Sequence, residues 1–233
     1  MHEEVLQIFE TARADERTVL YEHESKRICE ILGLPVTKFQ VAVTLEEVID
    51  ATHRIGFPVV LKVISRDISH KTEAGGVLLN LRNSTQVKMG YRQIKANVQN
   101  YAPTARVDGF LVQEMVPPST EVVIGMTKDP TFGAALMFGL GGIFVEVLED
   151  VVFRIAPISR SDAQEMIREI KAYKILTGVR GNPPVDIDAL VNILRKVSEL
   201  VVHYPDISQL DLNPVIVDDQ AAKIVDARII LEA

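Results

Sequence analysis

Four groups of residues in this 233-residue chain have types and spacings that chemistry could use. The first is His70, alone in the polar stretch "ISHKTEAGGV" (68–77), between the apolar runs "FPVVLKV" (57–63) and "GVLLNL" (76–81). A plain hairpin needs two to five linking residues. The longer link here carries Ser65, Arg66, Asp67, Ser69, His70, Lys71, Thr72 and Glu73 before the pair Gly75–Gly76. Long polar loops in compact domains tend to be functional, although a solvated loop with an incidental histidine fits the same pattern. The second group is Lys62 inside "VVLKV", where a lysine is costly unless it meets an anion or reaches water. A unit charge pair at about 4 Å and an effective dielectric near 20 gains roughly 4 kcal/mol, enough to hold a phosphate. An edge-strand lysine reaching solvent is the alternative.

The third group is "LDLNPV", in which Asp211 and Asn213 lie two apart. On a strand both point to one face, away from Leu210 and Leu212. Two hard oxygen donors on one face suit Mg²⁺, which completes its octahedron with waters and phosphates. The pair Asn213–Pro214 also reads as a strand-ending turn. The fourth is "VQEMVPPSTEVVIG". A strand that runs into Pro117–Pro118 leaves the backbone groups of Gln113, Glu114, Met115 and Val116 free for an adenine edge. Glu121, seven residues after Glu114, can accept from ribose hydroxyls; both carboxylates would equally sit in water. The familiar phosphate loops are absent, since there is no G-x-x-x-x-G-K-[ST] and "GLGGIF" lacks the last glycine of G-x-G-x-x-G.

The elements that must hold these groups follow from periodicity. Helices are predicted over 3–13, 22–33 ending at Gly33, 44–53, 84–99, 161–172 and 186–202. Thr44 with Glu47 forms a capping box, and Val87, Tyr91, Ile94 and Val98 recur at helical spacing. Strands are predicted over 36–43, 58–64, 76–81 and 109–116. Past the Pro pair, "TEVVIGMTKD", "TFGAALMFGLGG" and "VVFRIAPIS" read as antiparallel strands, with turns at Asp129–Pro130 and at glycines 139–142. A Ser161–Asp162 start opens the helix at 161, and a hairpin from "ISQLDLNPVIVDD" into "AAKIVDARIIL" ends the chain. The expected architecture is α+β, with one lobe over 1–112 and another over 113–233. The side on which residues 1–20 pack is left open. A short junction near 112–118 implies a cleft.

Composition narrows the function classes. A hydrophobic fraction of 47% with 24% charged residues is ordinary for a globular protein. No apolar run approaches the roughly 20 residues that cross a bilayer, and the acidic start "MHEEVLQIFE" lacks the core of a signal peptide. The single cysteine, Cys29, falls at an apolar helix position and fits a reducing, cytoplasmic compartment. A net charge of −7 without a basic cluster argues against nucleic acid as the main partner. An acidic chain can still hold ATP or ADP through a placed lysine, backbone amides and a divalent cation.

Taken in order, a strand lysine, a Gly-rich loop, a strand ending in Glu, a second Glu, a Gly-Gly turn and a carboxylate–Asn pair resemble the ATP-grasp fold. In that fold two α+β lobes clamp a nucleotide. More narrowly, "ESKRICEILGLPV", "FPVVLKV", "EAGGVLLNL" and "LDLNPVIV" are similar to the nucleotide-binding β subunit of NDP-forming acyl-CoA synthetases, and "SHKTEAGGV" to the ADP-forming acetyl-CoA synthetase branch. The resemblance implies acyl-CoA + ADP + phosphate ⇌ acid + CoA + ATP. It also implies a separate CoA-binding α subunit in an α2β2 assembly, and a phosphoryl group relayed by a loop histidine, here His70. A neutral imidazole is nucleophilic at neutral pH, and a covalent relay splits one long transfer into two short ones. A ten-residue loop can carry its tip on the order of 15 Å. The expected site is then His70 as carrier, Lys62, Gly75, Gly76, Gln113, Glu114, Met115, Val116 and Glu121 on the nucleotide, and Asp211 with Asn213 on Mg²⁺. A stand-alone ATP-grasp ligase and a non-catalytic nucleotide-binding subunit are the competing readings.

Overall fold

The computed structural model of the chain describes residues 2–68, 70–142, 145, 147–179, 181 and 183–232. In chain order, α1 (Glu3–Ala14) and α2 (Glu22–Ile31) lead to β1 (Phe39–Ala42), α3 (Leu45–Ile55), β2 (Val59–Ile64) and β3 (Val77–Leu81). Then come α4 (Ser84–Tyr101), β4 (Gly109–Glu114), β5 (Thr120–Asp129), β6 (Gly133–Leu140) and β7 (Val151–Ile155). They are followed by α5 (Arg160–Glu169), α6 (Tyr173–Leu176), α7 (Ile187–His203), β8 (Ile207–Val217), β9 (Ala222–Ile224) and β10 (Ala227–Leu231). The chain divides into two compact units, Thr37–Pro117 and Met1–Val36 with Pro118–Ala233.

In the unit Thr37–Pro117, four antiparallel strands run in the order β1-β4-β2-β3. Alternation decides which side is covered. Val59, Leu61 and Val63 of β2 and Phe110 and Val112 of β4 meet Val48 and Ala51 of α3 and Val87, Ile94 and Val98 of α4 in one apolar cluster. Helix α3 starts where the capping box predicts, with the Thr44 hydroxyl accepting from the Glu47 amide at 3.2 Å. The Glu47 carboxylate accepts from Val43 N–H at 2.7 Å, and these backbone bonds hold its carboxyl below the usual range. Gly56, at φ +93°, closes the helix. The strand predicted over 36–43 is shorter, Phe39–Ala42.

In the other unit the sheet order is β10-β8-β5-β6-β7, with β9 also paired to β8. One face is packed by the helices: Val5 and Phe9 of α1, Ile28 of α2, Met166 of α5 and Leu194 and Val197 of α7 share a core with Ile124, Phe138, Leu210 and Leu212. The opposite face presents Gln209, Asp211, Asn213, Thr127, Phe153 and Arg228 to solvent. Cys29 is fully buried in the packed side, and burial pushes its thiol up to about 12, so it is a core residue. Among the described residues no helix is long and apolar enough to cross a membrane.

Three expectations change. Helix α5 is capped by Ser159, whose hydroxyl accepts from Asp162 N–H at 3.2 Å, so it starts two residues earlier than a Ser161 cap predicts. It also ends at Glu169 instead of Ala172. The buried Asp150 carboxylate takes the amides of Lys171 and Ala172 at 2.7 and 2.8 Å, and the chain turns there. Gly139 lies within β6, and its main chain packs so close to β7 that a Cβ would meet the Asp150 carbonyl at 2.8 Å. The turn therefore begins beyond it. Finally, Asn213–Pro214 does not end its strand, because β8 runs on to Val217. At that point β8 exchanges its partner β10 for β9, which is where a missing amide donor is tolerated.

Candidate functional site

The stretch around His70 folds as a compact turn where sequence suggests an open loop. His70 C=O accepts from Ala74 N–H at 3.1 Å, Thr72 C=O from Gly75 N–H at 3.0 Å, and Lys71 C=O from Gly76 N–H at 2.7 Å. The last two bonds are the paired closure of a Schellman motif, with Gly75 at φ +62° in the left-handed position. That requirement accounts for one glycine of the pair. Close packing accounts for the other, since a Cβ on Gly76 would stand 2.6 Å from Val63 Cγ1. The turn is anchored on both sides, by Val63 N–H to Gly76 C=O at 2.8 Å and by the Asn97 amide to Gly75 C=O at 2.9 Å. His70 stands at its start with its side chain 70% exposed and Nδ1 4.0 Å from the Glu73 carboxylate. Gly75 and Gly76 thus build the histidine's platform. Ser69, before His70, lies outside the described residues.

Lys62 and Gln113 share the sheet face opposite α3 and α4. Gln113 of β4 is in register with Val60, and Leu111 with Lys62, so the two polar side chains are diagonal neighbours. Both are buried, at 6% and 1% exposure. A buried lysine and a buried amide on one face set a cationic group and a hydrogen-bonding group side by side, chemistry that suits an anion in low dielectric.

The end of β4 differs from expectation. Glu114 is in register with Val59, a residue of the helix-covered face, and its carboxylate accepts from Lys38 N–H at 2.9 Å. Its own N–H donates to Lys38 C=O at 2.9 Å, and Met115 N–H donates to Pro58 C=O at 3.2 Å. These two donors, expected free for a base edge, are taken. Val116 is half-buried after them.

In the other unit, Asp211 and Asn213 are both exposed between buried Leu210, Leu212 and Val215, as strand alternation predicts. Glu121, on the neighbouring β5, is exposed, and its C=O accepts from Gly141 N–H at 2.7 Å. The Asp211 carboxyl is held above the usual range, first by desolvation and then by the charge of Asp226, with Arg228 opposing both. Asp226 C=O also accepts from Asn213 N–H at 3.3 Å. Asp226 and Arg228 are the site neighbours that sequence reading passes over. The signal was available in the alternation of "DARIIL", which forms the β10 partner of β8.

As a donor set, Asp211 and Asn213 place two side chains with hard oxygen donors on one face, which suits a cation that completes its shell with water and phosphate oxygens; among the described residues no group of three or more His, Cys, Asp or Glu could hold a metal ion by itself.

A profile of the ATP-grasp domain matches residues 11–231. The β subunit of acetate–CoA ligase (ADP-forming) I of Pyrococcus furiosus is 48% identical over 225 residues, 97% of each chain. The longer acetate–CoA ligase (ADP-forming) I of Archaeoglobus fulgidus is 45% identical over 208 residues, covering 89% of this chain and 30% of that protein. A solved structure of Ca. Korarchaeum cryptofilum dinucleotide-forming acetyl-coenzyme A synthetase 1 aligns with a TM-score of 0.88 at 44% identity, covering 98% of this chain and 100% of that one. It is in complex with coenzyme A and Mg-AMPPCP, its phosphohistidine segment pointing towards the nucleotide-binding site. The chain therefore belongs to the ATP-grasp family and, within it, to the β subunits of the ADP-forming acetate–CoA ligases.

Proposed function

We propose that this chain binds ADP with Mg²⁺ and passes it a phosphoryl group through His70. The group is delivered by a separate CoA-binding α subunit, in acyl-CoA + ADP + phosphate ⇌ acid + CoA + ATP. The observation that carries the reading is His70 itself: a 70% exposed imidazole on a turn bonded to the strand of Lys62. A bystander histidine needs no such platform. The Korarchaeum relative, with its phosphohistidine segment directed to a Mg-nucleotide analogue, supports the same role here. The Archaeoglobus relative, about three times as long, supports a division of labour in which the remaining chemistry belongs to other sequence.

The steps balance. A ring nitrogen of His70 attacks the incoming phosphorus, an N–P bond forms, and the bond to the donor breaks. A terminal oxygen of ADP then attacks the same phosphorus, an O–P bond forms, and the electron pair of the N–P bond returns to the ring. Glu73, 4.0 Å from Nδ1, orients the ring between the two events. Lys62 offsets phosphate charge, and Glu121 accepts from ribose hydroxyls. Asp211 and Asn213 would hold Mg²⁺, which neutralises phosphate oxygens when bound.

The test is reconstitution. The purified chain alone should bind Mg–ADP and make no acyl-CoA, whereas adding a CoA-binding α subunit should restore ATP formation. Acetyl-CoA synthesis by the single chain would overturn the two-subunit reading in favour of a stand-alone ligase. Nucleotide binding without turnover in the assembled complex would favour a regulatory subunit.

A further inference from the structure

We propose that Arg228 is a phosphate-binding residue of the same site, holding the nucleotide's phosphates beside Asp211. The proposal rests on the nucleotide reading above. Strand β10 pairs antiparallel with β8, and Arg228 stands directly opposite Asp211. Opposed residues of antiparallel strands send their side chains to the same face, with Cβ atoms roughly 5 Å apart. Arg228 is exposed between buried Ala227 and Ile229, so it lies on the open face with Asp211 and Asn213.

A strand arginine beside a carboxylate would ordinarily close an ion pair. Among the described residues, the Arg228 side chain makes neither a hydrogen bond nor an ion pair within 4.0 Å. The register nevertheless sets Arg228 directly across from Asp211. The guanidinium is thus close enough to matter and uncommitted. The electrostatics of the face call for such a cation. Asp211 together with a diphosphate exceeds the charge of one divalent ion, and an unbalanced anion on a partly desolvated face is costly. Lys223, the other cation nearby, is in register with Ile216, farther along β8 and away from Asp211. The planar fork of arginine also matches two phosphate oxygens at once, which a point charge does not.

The experiment compares Arg228→Gln and Arg228→Lys with the wild-type full chain, using calorimetry with ADP, AMP and adenosine in the presence of Mg²⁺. Arg228→Gln should lose about 30-fold in ADP affinity, the size of one charge-assisted hydrogen bond. Its adenosine affinity should stay within about twofold, because no phosphate is present to lose. Arg228→Lys should recover part of the ADP loss, as a cation without the fork. Wild-type ADP affinity in Arg228→Gln overturns the proposal and leaves the nucleotide reading intact. Equal losses for ADP and adenosine overturn it as well, since they mark a structural role. Absence of Mg–ADP binding to the wild-type chain overturns both.

Discussion

The Val63 amide donates to the Gly76 carbonyl at 2.8 Å, and this one bond joins the strand that carries Lys62 to the turn that carries His70. Lys62 precedes Val63 on β2, and Gly76 closes the Schellman turn that His70 begins. The His70 side chain and the buried Lys62 are therefore built from neighbouring backbone within one unit.

Gly75→Ala should disturb this platform first. The backbone there is left-handed at φ +62°, and a Cβ would meet the Asn97 amide nitrogen at 2.5 Å. Strain in that conformation costs on the order of 1–2 kcal/mol, which lowers Tm by about 2–8 °C in a chain of this size. Hydrogen exchange should show the Gly76 amide losing protection while amides of α7 keep theirs. Unchanged protection at Gly76 would mean that the turn does not depend on the glycine.

Lys62→Met keeps the length of the stem and removes the charge. Lys62 is 6% exposed on β2, so an apolar replacement keeps the packing, and Tm should move by no more than about 4 °C. Affinity for ADP should fall by about 10–100-fold, while adenosine binding is spared. Calorimetry with the two ligands separates the phosphate contact from general damage, and undiminished ADP binding would make Lys62 a structural lysine.

Much of this was legible in the sequence because it is local. The Thr44–Glu47 box spans one helical turn, and the alternation of Leu210, Asp211, Leu212 and Asn213 is a property of a single strand. What escaped depends on partners far along the chain. The Glu114 carboxylate is taken by the Lys38 amide, and Asp150 by the amides of 171 and 172. Arg228 meets Asp211 only through the pairing of β10 with β8. The Gly75–Gly76 pair was visible, but a phosphate-cradling loop and a helical turn ended by a left-handed glycine share that signature. Only the hydrogen bonds tell them apart.

Asp211→Asn should separate stability from function. The Asp211 carboxyl is raised, by desolvation first and by Asp226 second. The folded state therefore binds the Asp211 proton more tightly than the unfolded state does, and ionising the group works against folding. That penalty is absent below the unfolded pKa and fully present above the folded one. The variant should accordingly be slightly more stable at neutral pH without metal, by less than about 1 kcal/mol because the group is exposed. The gain should shrink as pH falls through the carboxylate range. The same variant should need much more Mg²⁺ to bind ADP. Asp218→Asn is the control: Asp218 accepts from Gln220 and Ala221 amides at 2.9 Å in the β8–β9 turn and lies off the Asp211 face. Equal Mg²⁺ requirements in the two variants would move the metal elsewhere.

The most discriminating variant is His70→Asn. The side chain is 70% exposed, and among the described residues its ionic neighbour is the equally open Glu73, so its loss should leave Tm within about 2 °C. The main-chain bond from Ala74 N–H to His70 C=O survives the substitution, so the turn survives too. Nucleotide affinity should be unchanged, and so should any half-reaction confined to the α subunit. ATP formation by the assembled complex should be abolished, because no imidazole remains to carry phosphorus to ADP. With labelled ATP and Mg²⁺, the wild-type chain should take up phosphate that is labile in acid and stable in base, as a nitrogen–phosphorus bond is. The variant should stay unlabelled. If His70→Asn makes ATP at near wild-type rates, phosphoryl transfer to ADP is direct and His70 has no part in it.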